Sequence, residues 1–458
     1  MSFLGIDIGT SFLKGAVLDP EAHTLRHVHR MAFPPPLIHQ APGHCEYDPS
    51  AVVNAVGALI SELAAQAPDC EGLVMCSQMH GMVLRDSRGE ARSSCITWRD
   101  QRAAEPHPSG HGSYFDVLTR RLDSEEVRQL GRELDPGRPL SYLFWFAEQG
   151  KLASGLTPVS IPDFVLSALC QTDPGVELTN GAAYGALNLE TLGWHERVIE
   201  KLRLASLHWP PLRNCGEVVG HLDMQGKSIP CYTPVGDYQC ALLGALFGMD
   251  DLSVNIATGS QVSRLTPHLT LGAYQTRPYF EGRFLNTFTG VPAGRALDVL
   301  VGLLCELPGA EAANDAWEAI TRAVENVPAT DLEVDLSFFS STRGKRGLIG
   351  NIRGDNLTAG HLFRAAFKNM ADSYHDCALQ LWPEATWKNL LLSGGLAVRL
   401  SALRESLQAR FRTRYRLAPF NEDTLHGLMI LASVFSGRAE SLESLTSELR
   451  AATSQADC

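Results

Sequence analysis

The chain contains no run of about 20 apolar residues, and so no segment that reads as a bilayer-spanning helix. It has no block of lysine and arginine either: 39 basic side chains are spread among 51 acidic ones, for a formal charge of -12. That balance argues against a nucleic-acid partner. The 11 cysteines are scattered, with no Cys-x-x-Cys pair and no regular framework, which suits a reducing compartment and makes the cytoplasm the expected location. No basic leader with an apolar stretch precedes the first strand pattern, so no targeting segment is expected. Four routine chemistries lack their signatures: there is no Gly-x-x-x-x-Gly-Lys-Ser/Thr, no Gly-x-Gly-x-x-Gly opening a Rossmann unit, no zinc-ligand spacing and no Gly-x-Ser-x-Gly elbow.

What is present is a globular composition, 45% hydrophobic and 20% charged, on 458 residues, enough for two or three domains. Strand-like runs such as "EGLVMCSQ" and "KNLLLSGG" alternate with helix-like ones, which is the pattern of an α/β fold. In "DPSAVVNAVGALISELAAQ", Asp48 or Ser50 can cap, Pro49 suits the first turn, and Val52, Val56, Leu59, Ile60 and Leu63 form one apolar face. The opening "GIDIGTS" has a partner in "NIATGSQ", aligning Ile6-Asp7-Ile8-Gly9-Thr10 with Ile256-Ala257-Thr258-Gly259-Ser260. Two copies about half a chain apart suggest two similarly built domains, with a boundary in "MQGKSIPCYTPVGDYQ".

Several short stretches can carry chemistry. The turn Gly9-Thr10-Ser11 offers backbone N–H groups and small hydroxyls to phosphate oxygens, with Lys14 close behind and Asp7 suited to Mg²⁺; the same residues also fit a polar hairpin turn. Asp237, at the mouth of a helix pattern in "TPVGDYQCALLGALFG", is either an N-cap or a general base for phosphoryl transfer. Gln78, Met79 and His80 follow a strand directly, where α/β proteins place ligand residues, and "TWRDQR" adds Trp98 and Asp100. A lone loop histidine is as readily solvated or structural. Gly394-Gly395 permits close approach of a nucleotide, while Glu422 and Gly427 precede a buried helix.

In their order, these elements resemble the FGGY carbohydrate kinases of the actin-like ATPase superfamily, over nearly the whole chain. The motifs are "GIDIGTSFLKGAVLD", "GHCEYDPSAVVNAV", "SQMHG" with "TWRDQR", "LTNGAAYGALNLETLGWHE", "VGDYQCALLGALFG", "NIATGSQVSRL", "FFSSTRGKRGLIGNIRGDNLTAGHLFRAAFKNMA", "LLLSGGLA", and Glu422 with Gly427. The resemblance implies an α/β fold of two actin-like (ribonuclease H-like) domains around a central cleft, 1–228 mostly for sugar and 229–458 mostly for ATP. It implies ATP and Mg²⁺ as cofactors, with Asp237 as catalytic base and Asp7 at the metal. Gly9, Thr10, Ser11, Lys14, Thr258, Gly259, Ser260, Gly394 and Gly395 are then expected at the nucleotide. Gln78, Met79, His80, Trp98, Asp100, Asp237 and Gln239 are expected at the sugar. Gln78-Met79-His80 resembles the ketose-kinase form, and Gln239 and Gln261 the sedoheptulokinase form, with xylulokinase next. The partner implied is a small-molecule sugar, with no nucleic acid and no membrane; a homodimer would fit.

The chain departs from this pattern at Gly344-Lys345-Arg346, where an acid usually stands in the middle, at Val398 and Arg399, and around Glu422, where "NEDTLHG" is bulkier than usual. These departures bear on nucleotide affinity more than on mechanism.

Overall fold

The computed structural model describes residues 1–306, 313–339 and 346–456, and two sheets in it repeat one strand plan. Gly344 and Lys345 lie outside the described residues. In the first sheet, β1 (Ser2–Ile8), β2 (Phe12–Asp19), β3 (Thr24–Ala32), β4 (Cys70–Ser77), β5 (Val218–Met224) and β6 (Lys227–Tyr232) lie in the order β5-β6-β4-β1-β2-β3, and the short β7 (Val235–Gly236) joins β4. In the second, β8 (Asp251–Ile256), β9 (Ser260–Thr266), β10 (Gln275–Pro278), β11 (Phe284–Val291), β12 (Asn389–Ser393) and β13 (Arg414–Leu417) lie in the order β10-β11-β9-β8-β12-β13. Each sheet starts with an antiparallel meander, β1-β2-β3 or β8-β9-β11, and sets a parallel strand against its first member, β4 on β1 and β12 on β8. This is the duplicated plan expected of two actin-like domains. The predicted division after residue 228 falls inside β6, and the chain stays in the first sheet through β7.

Period-two alternation decides what each face of β1 does. Leu4, Ile6 and Ile8 point to one side and pack on α1 (Pro49–Ala64), whose Val52, Val56, Leu59, Ile60 and Leu63 are buried there as predicted. Asp48 is the cap: its carboxylate accepts the N–H of Ser50 at 2.9 Å. Phe3 points the other way, into a core shared with two helices from the second half. These are α2 (Asp237–Gly244) and, after the long α3 (Ala359–Leu381) that backs the second sheet, α4 (Asp423–Phe435). Although α4 comes near the end of the chain, it packs against β1, β2, β3 and β4 of the first sheet. Asp7 shares the Phe3 side and therefore faces α4.

α2 and α4 cross at two glycines. A Cβ on Gly244 would lie 1.8 Å from the carbonyl oxygen of Asp423, and one on Gly427 would lie 2.0 Å from that of Cys240. No side chain fits at either point, because backbone cannot give way as a flexible side chain can. Gly427→Ala should therefore lower the urea unfolding midpoint, at a cost of about 2–4 kcal/mol. An unchanged midpoint would mean that the helices do not cross this closely.

Candidate active site

The acid of the opening motif sits inside β1, not in the turn. Asp7 is buried, and its Oδ2 accepts a hydrogen bond from Thr424 Oγ1 at 2.7 Å, whereas Oδ1 is buried without a partner. Lys14 is its cross-strand neighbour, and a 2.7 Å ion pair joins Lys14 Nζ to Glu422 Oε2. Adjacent positions on β1 and β2 thus hold the start of α4. Burial raises the Asp7 carboxyl above its ordinary range against the opposing pull of Thr424 and Lys14. An orphaned buried carboxylate oxygen suits a hard cation, so the residues present fit a Mg²⁺ that Asp7 would help to hold.

Asp237 is not the cap of its helix. Gly236 is the N-cap residue of α2, and Asp237 occupies the first helical position, where the backbone N–H groups of Tyr238 and of Asp237 itself favour its charged form. Burial, and then the negative charge of Asp7, push its carboxyl up to about 7. A third acid, Asp423, is also pushed up to about 7, by burial against the favourable pull of Lys14, and its Oδ1 is likewise buried without a partner. Sequence reading passed over Asp423; its signal was an acid directly after Glu422 at a helix start.

The two turns expected at the phosphates are less alike than their sequences. The first hairpin ends at the pair Ile8–Leu13, the second at Ile256–Ser260. Ile8, not Ile6, therefore corresponds to Ile256 as the last strand residue, and the expected alignment shifts by two. The glycines misled it, since Gly9 opens one turn and Gly259 closes the other. Thr258 and Gly259 are exposed, with open space where a Gly259 Cβ would stand. Ser260 instead is buried, its hydroxyl 2.6 Å from that of Tyr374. The N–H groups of Gly294 and Arg295 donate to the carbonyls of Ala257 and Thr258 and fix this turn on the helix Gly294–Cys305. Gly394 runs at φ 87, with Ile256 O 2.4 Å from where its Cβ would be, so glycine is required there; Gly395 faces open space. Val398 is exposed and the Arg399 guanidinium lies over the Trp317 ring.

The sugar-motif residues meet the first turn directly. Thr10 Oγ1 donates to Gln78 Oε1 at 3.2 Å and accepts from Trp98 Nε1 at 2.9 Å, while Gln78 Nε2 donates to the Gly9 carbonyl at 3.3 Å. Ser11 is exposed beside them, and Met79 is buried against Gly236. Two predicted contacts are placed differently. Asp100 is fully buried, with Oδ1 and Oδ2 engaged by Arg102 and by the Cys45 N–H, so it shapes the loop and has no oxygen left for sugar. Among the described residues, His44, Glu46 and Asp100 alone have metal-like spacing, yet Arg102 bonds both acids. Gln239 is fully buried too, and its amide donates to the Pro278 carbonyl at 3.3 Å.

His80 leads to residues that sequence reading missed. Its backbone takes φ 71, and its Nε2 is buried without a hydrogen-bond partner, 3.9 Å from Glu133 Oε2. Glu133 is 1% exposed and joins Arg277 Nε at 2.6 Å and Arg138 Nη2 at 3.0 Å. Burial and these two guanidiniums hold the His80 imidazole well below its ordinary range, so it is neutral. Arg277 stands on β10 and Glu133 on the first half of the chain, so the pair bridges the two halves. Neighbouring bonds run the same way: Thr276 N–H to Gly131 O at 3.0 Å and Arg132 Nε to Gly272 O at 2.7 Å. No local pattern marks a glutamate whose partner Arg277 lies 144 residues away.

The model for the FGGY family of carbohydrate kinases, N-terminal domain, matches residues 2–244, and the chain belongs to that family. It is 28% identical to the glycerol kinase of Rhizobium rhizogenes over 222 residues, 44% of this chain and 42% of that one. With the gluconokinase of Bacillus subtilis it shares 23% identity over 481 residues, covering 97% of this chain and 89% of the relative. Among solved structures, the ligand-bound xylulose kinase of Lactobacillus acidophilus superposes with TM-score 0.83 at 18% identity (97% and 91% covered). The Plasmodium falciparum glycerol kinase with ADP gives TM-score 0.82 at 16% identity (98% and 92% covered). The fold is the two-domain actin-like ATPase fold.

Glu133→Ala would leave two buried guanidiniums sharing no carboxylate, and should cost about 3–5 kcal/mol of stability. Glu133→Ala/Arg277→Met should recover part of that loss in a urea titration. Additive losses in the double variant would mean that the two side chains are not coupled.

Proposed function

We propose that the protein transfers the γ-phosphoryl group of ATP to the terminal hydroxyl of a ketose, sedoheptulose ahead of xylulose. The observation that carries the kinase reading is the pair Asp7 and Asp237: two carboxylates brought to one domain junction, each pushed up by burial, one with an orphaned oxygen and one raised further by the charge of the other. A regulator on a decayed scaffold has no need of both. Asp237 takes the proton of the attacking hydroxyl as that oxygen bonds to the γ-phosphorus and the bridging bond to ADP breaks. When bound, Mg²⁺ supplies neutralising charge at the phosphate oxygens. Thr10, Ser11, Thr258 and Gly259 line the phosphate path, and Lys14 keeps Glu422 and α4 in place beside it.

The choice of sugar rests on Gln78-Met79-His80 and on Gln261. Gln239 adds a buried Oε1 without a hydrogen-bond partner, its amide nitrogen being committed to the Pro278 carbonyl. ADP release should be measured over sedoheptulose, D-xylulose, D-ribulose, L-ribulose, glycerol, gluconate and no sugar. Fastest release with sedoheptulose is the expected result. Preference for another acceptor overturns the sugar assignment and leaves the kinase, while no acceptor-dependent release overturns both.

Asp237→Ala should lower kcat by about 10²–10⁴ and leave ATP binding nearly unchanged; substantial turnover would remove Asp237 from the role of base. The pH dependence has a definite sign. Asp237 must be ionised to accept a proton, so turnover should fall as pH drops through about 7. Stability runs the other way. Between about pH 4, where an unfolded aspartate ionises, and about 7, the folded protein holds a proton that the unfolded chain has released. Stability from this group therefore declines as pH rises across that window. Asp237→Asn should flatten that decline in urea midpoints measured at successive pH values, and an unaltered slope would assign it to other groups.

A further inference from the structure

The edge of the first sheet carries two cysteines in an arrangement that the kinase reading does not use. Gly220 on β5 and Cys231 on β6 are cross-strand partners, so their side-chain positions lie on the same face. Gly220 has no side chain to fill its position. A Cβ there would lie 2.5 Å from Cys170 Cβ and 2.9 Å from Cys170 Sγ, so Cys170 occupies the space that a residue 220 side chain would take. Cross-strand Cβ atoms stand about 4.5–5.5 Å apart, and a disulfide requires about 3.5–4.5 Å. The two thiols are near enough to shift each other's ionisation, while the Cys231 S–H donates to the Ile229 carbonyl at 3.7 Å. Cys170 ends the helix Ile161–Cys170 and is half-buried, while Cys231 behind it is fully buried.

We propose that Cys170 and Cys231 are a peroxide-oxidisable dithiol, whose disulfide staples the helix Ile161–Cys170 to the sheet edge. The Cys170 thiolate attacks a hydroperoxide oxygen and breaks the O–O bond, becoming a sulfenic acid; with hydrogen peroxide the other oxygen leaves as water. The Cys231 sulfur then attacks the sulfenic sulfur, the S–S bond forms, and the departing hydroxide takes the Cys231 proton as a second water. Two thiols are oxidised and one peroxide is reduced. The electrostatics favour this division of labour: the neighbouring Cys231 holds the Cys170 thiol below its ordinary range, while Cys170 and burial push Cys231 up. A second close pair, Cys76 with Cys240 beneath Asp7, is fully buried at both members and gives peroxide no solvent-facing sulfur to attack. The stapled helix packs on α1 and β5, away from Asp237, so the bond acts on the outer face of the first domain.

The test is peptide mapping of the whole protein after hydrogen peroxide, with free thiols alkylated under non-reducing conditions. The expected product is a Cys170–Cys231 cross-linked peptide, reversed by dithiothreitol, with a higher thermal unfolding midpoint before reduction than after. Cys170→Ser should abolish it. Gly220→Ala, which puts a methyl where Cys170 sits, should suppress the cross-link with both thiols present. Peroxide that leaves both cysteines alkylatable, or that carries Cys170 to the sulfinic acid with Cys231 still alkylatable, overturns the proposal. Cross-linking undiminished in Gly220→Ala overturns its geometric basis.

Discussion

The close crossing of α2 and α4 at Gly244 and Gly427 is the constraint on which the rest of the structure depends. Helix axes ordinarily stand 8–10 Å apart because side chains intervene; here backbone meets backbone. The crossing brings the N-terminus of α2, with Asp237, and the N-terminus of α4, with Glu422 and Thr424 around it, to the same face of the first sheet. Asp7 and Lys14 meet them there because adjacent antiparallel strands present cross-strand partners on one side. Both helices come from the second half of the chain, and α4 carries the contact to the strands of the first sheet.

Much of this was legible in the sequence. The α/β alternation, the face of α1, the duplicated opening motif and the candidate acids Asp7 and Asp237 each rest on a short-range signal: period, capping chemistry, or a glycine turn. Sequence reading failed where the determining contact is long-range. Asp100 looked like a ligand because it stands in "TWRDQR", yet the distant Cys45 N–H shares its oxygens with the nearby Arg102. The offset between the two turns could not be seen because glycine marks a turn without saying which end of it. Glu133 and Arg277 carry no local pattern at all, since their meaning depends on which loop the second sheet's edge comes to touch.

The junction holds buried groups of both charges. Asp7, Asp237 and Asp423 gather near the start of α4, and burial, with Asp7 repelling Asp237 and Glu422 repelling Asp7 and Asp423, disfavours their full ionisation. Arg138 and Arg277 surround one carboxylate beside a neutral imidazole, and Arg277 is near enough to Asp237 to favour its charged form. Groups kept in such unfavourable surroundings reduce stability, and they persist where binding or chemistry needs them. The acidic group suits a cation with its phosphates. Beside the two arginines, His80 Nε2 is buried without a hydrogen-bond partner.

The bond from Trp98 to Thr10 gives the protein an optical property. A half-exposed indole donates its only N–H to the hydroxyl of the turn that phosphate would approach. Indole emission responds to the polarity around the ring and to the partner of its nitrogen. Whatever displaces the Thr10 hydroxyl, or moves one side of the cleft relative to the other, changes both at once. Trp98 thus couples this turn to the emission of one of the chain's seven tryptophans.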